Sequence, residues 1–85
     1  MTQHLQIGSI VESTAGHDKG RMYVLAEIME DFALLTDGDY RPLSNPKRKR
    51  LKHIKQVVTA PIEKETLGEM HDFEIKKYLK NIAKV

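Results

Sequence analysis

The sequence predicts a mainly β fold, a small barrel of about five antiparallel strands followed by a C-terminal helix. Short apolar stretches recur at intervals near ten residues and are separated by turn-forming residues, a pattern typical of small barrels. Towards the end of the chain the spacing becomes helical, with apolar residues at Ile75, Leu79 and Ile82. A chain of 85 residues forms one domain with a modest core.

The first two strands are expected at about residues 7–13 and 21–29. In the second, apolar residues alternate with a period of two, which predicts a strand with Val24, Ala26 and Ile28 on one face.

The third strand is predicted at residues 32–36, after a two-residue turn whose shortness favours an antiparallel hairpin. Residues 37–39 (Asp-Gly-Asp) form the next turn. We expect a fourth strand from Lys47, interrupted by a bulge or turn near His53, and a short fifth strand at about residues 56–59.

Residues 1–60 are therefore assigned to the barrel. Residues 61–71 are polar, contain Gly68 and are predicted to be a linker. Residues 72–85 hold the C-terminal helix, for which Asp72 is a suitable N-terminal cap. A helix this short is marginally stable alone, so we expect it to dock on the barrel or to become ordered on a partner.

Positive charge is concentrated in one segment. Six cations and no acid lie within nine residues, although the whole chain has a formal net charge of only +2. The rest of the chain therefore carries about −4. These six residues are Lys47, Arg48, Lys49, Arg50, Lys52 and Lys55. In an extended strand both faces would be basic at the start, so we expect this end to protrude from the barrel. Such a cluster is typical of a surface that neutralises nucleic-acid phosphates, although a solvated charge run is the alternative.

The connection between the first two strands has a distinctive composition. Gly16 and Gly20 suit backbone with positive φ, and Lys19 and Arg21 flank the second glycine. Two cations beside accessible backbone suit a phosphate group. Asp18 would repel phosphate and is expected to be a turn former that bonds local backbone.

This pattern, Gly16-x-x-Lys19-Gly20-Arg21 followed by apolar alternation, resembles a KOW motif. KOW motifs occur in ribosomal proteins and in transcription elongation factors. Residues 15–21 are especially similar to short bacterial KOW proteins related to large-subunit ribosomal proteins of archaea and eukaryotes. Residues 37–54 resemble the downstream part of the same proteins, so the similarity covers roughly residues 5–58.

The resemblance implies an SH3-like barrel that binds RNA, in particular ribosomal RNA, with ribosomal proteins as further partners. We predict that the motif loop and the basic segment form the contact surface together. The predicted RNA-binding residues are His17, Lys19, Gly20, Arg21, Arg41, Lys47, Arg48, Lys49, Arg50, Lys52, His53 and Lys55.

Other classes of function find little support in the residues. The chain has no cysteine, which excludes thiol catalysis and cysteine-ligated zinc. Its four histidines are scattered, and it has no phosphate-binding Gly-Lys-Ser/Thr loop. We therefore predict no enzymatic activity, no metal and no cofactor. No apolar run approaches the roughly 20 residues that span a membrane. We expect a cytoplasmic monomer that does not contact membranes.

Two alternatives stay open at the level of sequence. A protein-interaction module of the translation or transcription machinery would use the Ile75, Leu79 and Ile82 stripe to dock on its partner. A DNA-binding accessory protein would make the same phosphate contacts. For Tyr40, packing in the core and stacking on a flipped RNA base are both possible.

Overall fold

Five antiparallel strands form one open sheet in the computed structural model, which describes residues 5–57 and 60–83. The strands are β1 (Ile10–Ser13), β2 (Met22–Met29), β3 (Phe32–Thr36), β4 (Lys47–Arg50) and β5 (Ile54–Gln56). Their order in the sheet is β4-β3-β2-β1-β5. Helices α1 (Lys64–Glu69) and α2 (Asp72–Ala83) follow. The predicted mainly β fold, with five antiparallel strands and a C-terminal helix, is confirmed.

The sheet is strongly curved, because its two edge strands are joined by a single short turn. Residues Leu51–His53 form a 3₁₀ turn between β4 and β5. In a flat sheet these edges would lie about 19 Å apart, at about 4.8 Å per strand. The chain advances by four residues from Arg50, where β4 ends, to Ile54, where β5 begins. Four residues reach at most about 14 Å even when fully extended. The edges must therefore approach each other at this end, which makes the domain barrel-like.

Both faces of the central strands are buried, and each face contributes to a different core. Val11, Tyr23 and Leu25 belong to the interior of the curved sheet. Ile10 and Val24 face the opposite way and pack beneath the helices. The alternation of side chains along a strand thus divides neighbouring residues between two apolar clusters.

The predicted face of β2 is correct only for its first half. The register between β2 and β3 shifts between Leu25 and Glu27, so one residue is added to β2. Val24 packs in the cluster beneath the helices, but Ile28 packs against the interior cluster. The predicted grouping of Val24 with Ile28 is therefore wrong, because a bulge reverses the alternation that follows it.

The first strand is shorter than predicted, because Gly8 has a left-handed backbone with a φ of 96°. The N–H of Gly8 donates to the carbonyl of Leu25 and its carbonyl accepts from the N–H of Ile62. A Cβ atom at this position would collide with the Ile62 carbonyl. Gly8 therefore lies between the backbones of β2 and Ile62, where only a glycine fits.

The segment predicted as a linker, residues 61–71, contains helix α1. Ile62 and Leu67 are buried in the cluster that lies beneath the helices. Helix α2 also packs there through Ile75 and Leu79, which are 0% and 7% exposed. Ile75 and Leu79 of the α2 stripe are thus covered by the rest of the domain, as expected for a helix that docks on the barrel.

The end of the barrel follows the prediction in outline. The turn expected near His53 is the 3₁₀ turn, and β5 begins at Ile54 rather than at residue 56. Val58 and Thr59, which were predicted to belong to the last strand, lie outside the described residues.

Candidate nucleic-acid interface

The motif loop, defined here as residues 14–21, is a closed structure held by its own backbone. Gly20 donates its N–H to the carbonyl of Ser13 over 2.8 Å, and Ser13 donates to the carbonyl of Arg21 over 2.9 Å. Gly16 and Gly20 have φ values of 85° and 92°. The prediction that both glycines provide left-handed backbone is confirmed.

The side chain of Asp18 is the centre of a partly buried polar network. Its Oδ1 accepts hydrogen bonds from Ser13 Oγ at 2.9 Å and from Lys49 Nζ at 2.6 Å. Its Oδ2 accepts one from the Tyr23 hydroxyl at 2.8 Å. Lys49 Nζ also donates to the carbonyl of Ala15 at 2.8 Å. Within the described part of the chain, no buried side-chain nitrogen or oxygen lacks a partner.

The network changes the acidity of two of its members. Burial by itself would raise the pKa of Asp18, but hydrogen bonds from Lys49, Tyr23 and Ser13 outweigh it and hold that pKa well below its usual range. Burial, followed by the hydrogen bond to Asp18, raises the pKa of Tyr23 to about 12. Asp18 is therefore an ionised acceptor and Tyr23 a protonated donor at neutral pH.

Two predictions about these residues need correction. Lys49 was assigned to RNA contact, but its side chain is only 10% exposed and its ammonium group is held by Asp18. Asp18 was expected to bond local backbone, whereas its carboxylate binds the side chains of three residues, one of them 31 positions away. Lys49 therefore joins the basic strand to the motif loop instead of being free for a phosphate.

The prediction that the basic segment protrudes from the barrel is wrong. Strand β4 pairs along its whole length with β3, Lys49 opposite Ala33 and Lys47 opposite Leu35. Directly opposed residues of an antiparallel pair share a face. Since Ala33 and Leu35 are buried, Lys47 and Lys49 lie on the interior side. Arg48 lies on the outer side, where it is exposed.

The outer cations differ in their surroundings. The guanidinium of Arg48 lies 3.8 Å from the centre of the Phe32 ring. Arg50 pairs with Asp31 at 3.4 Å, with both side chains more than half exposed. Lys52, in the 3₁₀ turn, is exposed.

The two remaining predicted contacts of this segment are weaker candidates. Lys55 lies 4.0 Å from Glu12. His53 is half-buried, and its carbonyl accepts a hydrogen bond from the Thr14 N–H at 2.8 Å. That bond ties the 3₁₀ turn to the motif loop.

The motif loop presents its own polar groups at the surface. His17, Lys19 and Gly20 are exposed, and no atom other than those of Gly20 and its chain neighbours lies within 4 Å of the position that a Cβ of Gly20 would take. Arg21 pairs with Asp37 at 3.6 Å, and its guanidinium lies 4.5 Å from the centre of the Tyr40 ring.

Arg41, the last predicted contact, is half-buried. Its backbone carbonyl accepts hydrogen bonds from the Thr36 hydroxyl at 2.7 Å and from the Asp37 N–H at 3.0 Å. Arg41 therefore closes the turn after β3 through its backbone.

The structure thus brings the motif loop and the basic segment together, as predicted, through Lys49 and His53. It also pairs several cations with acids that the sequence analysis did not connect, such as Arg21 with Asp37 and Arg50 with Asp31. The sequence analysis placed Asp37 in the turn that follows the third strand, but no local pattern connected it to Arg21.

Comparison of the chain with models of known protein families and with curated proteins found no match. Among residues 5–57 and 60–83, no helix has the length and apolar character needed to cross a membrane. The same residues contain no group of three or more histidines and acids arranged to hold a metal ion.

Proposed function

We propose that the protein is a non-enzymatic RNA-binding protein whose target is structured ribosomal RNA. The barrel contacts the RNA through the outer face of β4, the 3₁₀ turn and the motif loop. The resemblance of residues 16–21 to a KOW motif suggests a ribosome-associated role in the cytoplasm.

One observation carries the proposal: two segments that are distant in sequence, each with exposed cations, are joined to each other by the Lys49–Asp18 pair. Arg48 and Lys52 belong to the basic segment, and Lys19 belongs to the motif loop. No acid lies within 4.0 Å of these three cations in the part of the chain that the structure describes. Because Lys49 bonds to Asp18 and Ala15, the loop cannot move away from β4 without breaking this ion pair.

Electrostatic contact with phosphates would supply most of the affinity. Each neutralised phosphate releases counterions, which makes binding dependent on salt. Arginine adds bidentate hydrogen bonds to phosphate oxygens. Such contacts position a protein without reading base sequence, so the shape of the RNA would select the site.

The test is RNA affinity as a function of salt for the wild type and for a variant with R48Q and K52Q. A structured ribosomal RNA fragment serves as the probe. We expect the slope of log affinity against log salt to become shallower by roughly 0.7 to 0.9 for each lost phosphate contact. Two lost contacts would change the slope by about 1.5.

A matched variant, K64Q and K77Q, removes the same charge from exposed lysines of α1 and α2. We expect this control to bind with nearly the wild-type slope. Equal effects of the two variants would mean that net charge alone matters, and the proposed surface would be wrong. Competition with duplex DNA of equal length tests the choice of polymer: if DNA competes as well as the folded RNA, the RNA assignment fails.

A further inference from the structure

A second exposed feature lies beside the motif loop. The ring of Tyr40 is 72% exposed, the largest exposure among the large hydrophobic side chains that the structure describes. The guanidinium of Arg21 lies 4.5 Å from the centre of this ring. Arg21 and Tyr40 therefore form a cation–π pair that is open to solvent.

This pair is held in place by the turn after β3. Asp37 accepts hydrogen bonds from the N–H groups of Asp39 and Arg41 through Oδ1, at 2.9 and 2.8 Å. Its Oδ2 lies 3.6 Å from Arg21. One carboxylate thus shapes the turn that carries Tyr40 and also orients the guanidinium, so the pair is preorganised.

A shallow groove runs from the pair to helix α2. It is lined by Gly20, Arg21, Asp37, Tyr40, Lys76 and Lys80, among others. Lys76 pairs with Asp39 at 3.3 Å, whereas Lys80 is exposed and has no acid within 4.0 Å among the described residues. The groove therefore offers one aromatic surface, two cations engaged with acids and one cation that is available.

We propose that the Arg21–Tyr40 pair is a stacking platform for one unpaired nucleobase of the bound RNA, with Lys80 at its phosphate. This inference rests on the proposed function and specifies the form of RNA, a folded RNA with a bulged or flipped nucleotide. Aromatic rings and arginine guanidinium planes are the groups on which unpaired bases stack. The groove includes Gly20 and Arg21 of the motif loop, so a nucleotide in it would be continuous with RNA bound to that loop.

The test compares two hairpin RNAs that are identical except for a single bulged adenosine. We expect the wild type to bind the bulged hairpin about tenfold more tightly, which corresponds to the lower part of the range for one stacked base. Y40A should abolish this preference, and Y40F should retain it. A fluorescent adenine analogue in the bulge should be quenched by the wild type and not by Y40A.

The control is F73A, because Phe73 is almost as exposed as Tyr40, at 69%, but stacks on His71 instead of an arginine. F73A should keep the preference for the bulged hairpin. Equal affinity of the wild type for the two hairpins would overturn the inference and leave the proposed function intact. Loss of the preference in both F73A and Y40A would also overturn it, since the site would not be specific to the Arg21–Tyr40 pair. If neither hairpin binds but the ribosomal RNA fragment does, the inference is overturned; if the fragment does not bind either, the proposed function itself fails.

Discussion

Lys49 belongs to a run of four consecutive cations, yet its environment differs from that of its neighbours. Its position on the inner face of β4 directs the ammonium group to Asp18 and to the carbonyl of Ala15. Both Lys49 and Asp18 have side chains that are only 10% exposed. A charged group with so little exposure needs a partner, because the free-energy cost of removing an unpaired ion from water is not otherwise offset.

We therefore expect K49M to lower the free energy of unfolding by about 3 kcal/mol, because it leaves the carboxylate of Asp18 buried without its cation. Urea denaturation at pH 7 measures the change. K55M is the matched control, because Lys55 is 59% exposed and lies 4.0 Å from Glu12. It should cost less than about 1 kcal/mol. Similar losses in the two variants would show that the Asp18–Lys49 pair contributes no more to stability than the exposed Glu12–Lys55 pair.

The same pair determines how stability depends on acid. The folded-state pKa of Asp18 is lowered, so its contribution is present above the unfolded-state pKa of about 3.9. That contribution is lost as the pH falls below this value towards the folded-state pKa. The difference between K49M and wild type should therefore narrow in strongly acidic solution. A constant difference from pH 7 to pH 2 would contradict this account.

At the scale of secondary-structure elements, the turn after β3 and helix α2 fit closely against each other. Gly38 has a φ of 73°, and a Cβ there would collide with the carbonyl of Asp72. Nearby, the side chain of Asp72 accepts a hydrogen bond from the Leu43 N–H at 2.8 Å. These contacts fix the position of helix α2, which contributes Lys76 and Lys80 to the proposed base-binding groove.

We expect G38A to destabilise the protein by at least about 2 kcal/mol, because alanine is disfavoured in left-handed backbone and would also meet the helix. G68A provides the contrast. Gly68 lies in α1, and a Cβ added there would have no other atom within 4 Å. Alanine at this position should stabilise by about 0.5 kcal/mol. Thermal unfolding of both variants measures the effects, and a neutral G38A would mean that the turn and α2 do not fit as described.

At the scale of the whole molecule, the two apolar clusters are coupled because β1 and β2 contribute to both. Ile10 and Val11 are adjacent, yet they pack in different clusters, and both are fully buried. Loss of the helices would expose one face of the strands whose other face forms the interior. The helices are therefore part of the domain that carries the proposed RNA-binding surface.

This coupling predicts that a destabilising substitution in α2 also destabilises the sheet. I75A should cost about 3 kcal/mol, since Ile75 is fully buried. Hydrogen exchange should show that amides of β3 lose protection together with those of α2. K77A, at an exposed position of the same helix, should leave both unchanged. If β3 kept its protection in I75A, the helix and the sheet would unfold as separate units.

The features that were predictable depend on near neighbours in the chain. Alternating apolar residues, closely spaced glycines and the Ile75/Leu79 spacing each act over a few positions. They located β2 and β3, the left-handed Gly16 and Gly20, and α2. Helix α1 was missed because its six residues bury only Leu67, which leaves no periodic pattern. The bulge in β2 was also missed, since the register shift depends on pairing with β3.

Local patterns in the chain were enough to predict a mainly β fold, a terminal helix and a concentrated run of cations. Which of those cations are available depends on the way the strands are arranged in space. Lys49 and Asp18 are 31 positions apart, and their contact exists because β4 passes beside the motif loop. The charge of a side chain is known from the residue alone. Whether that charge is neutralised depends on a second residue that folding brings within about 3 Å, and no local sequence pattern predicts this contact.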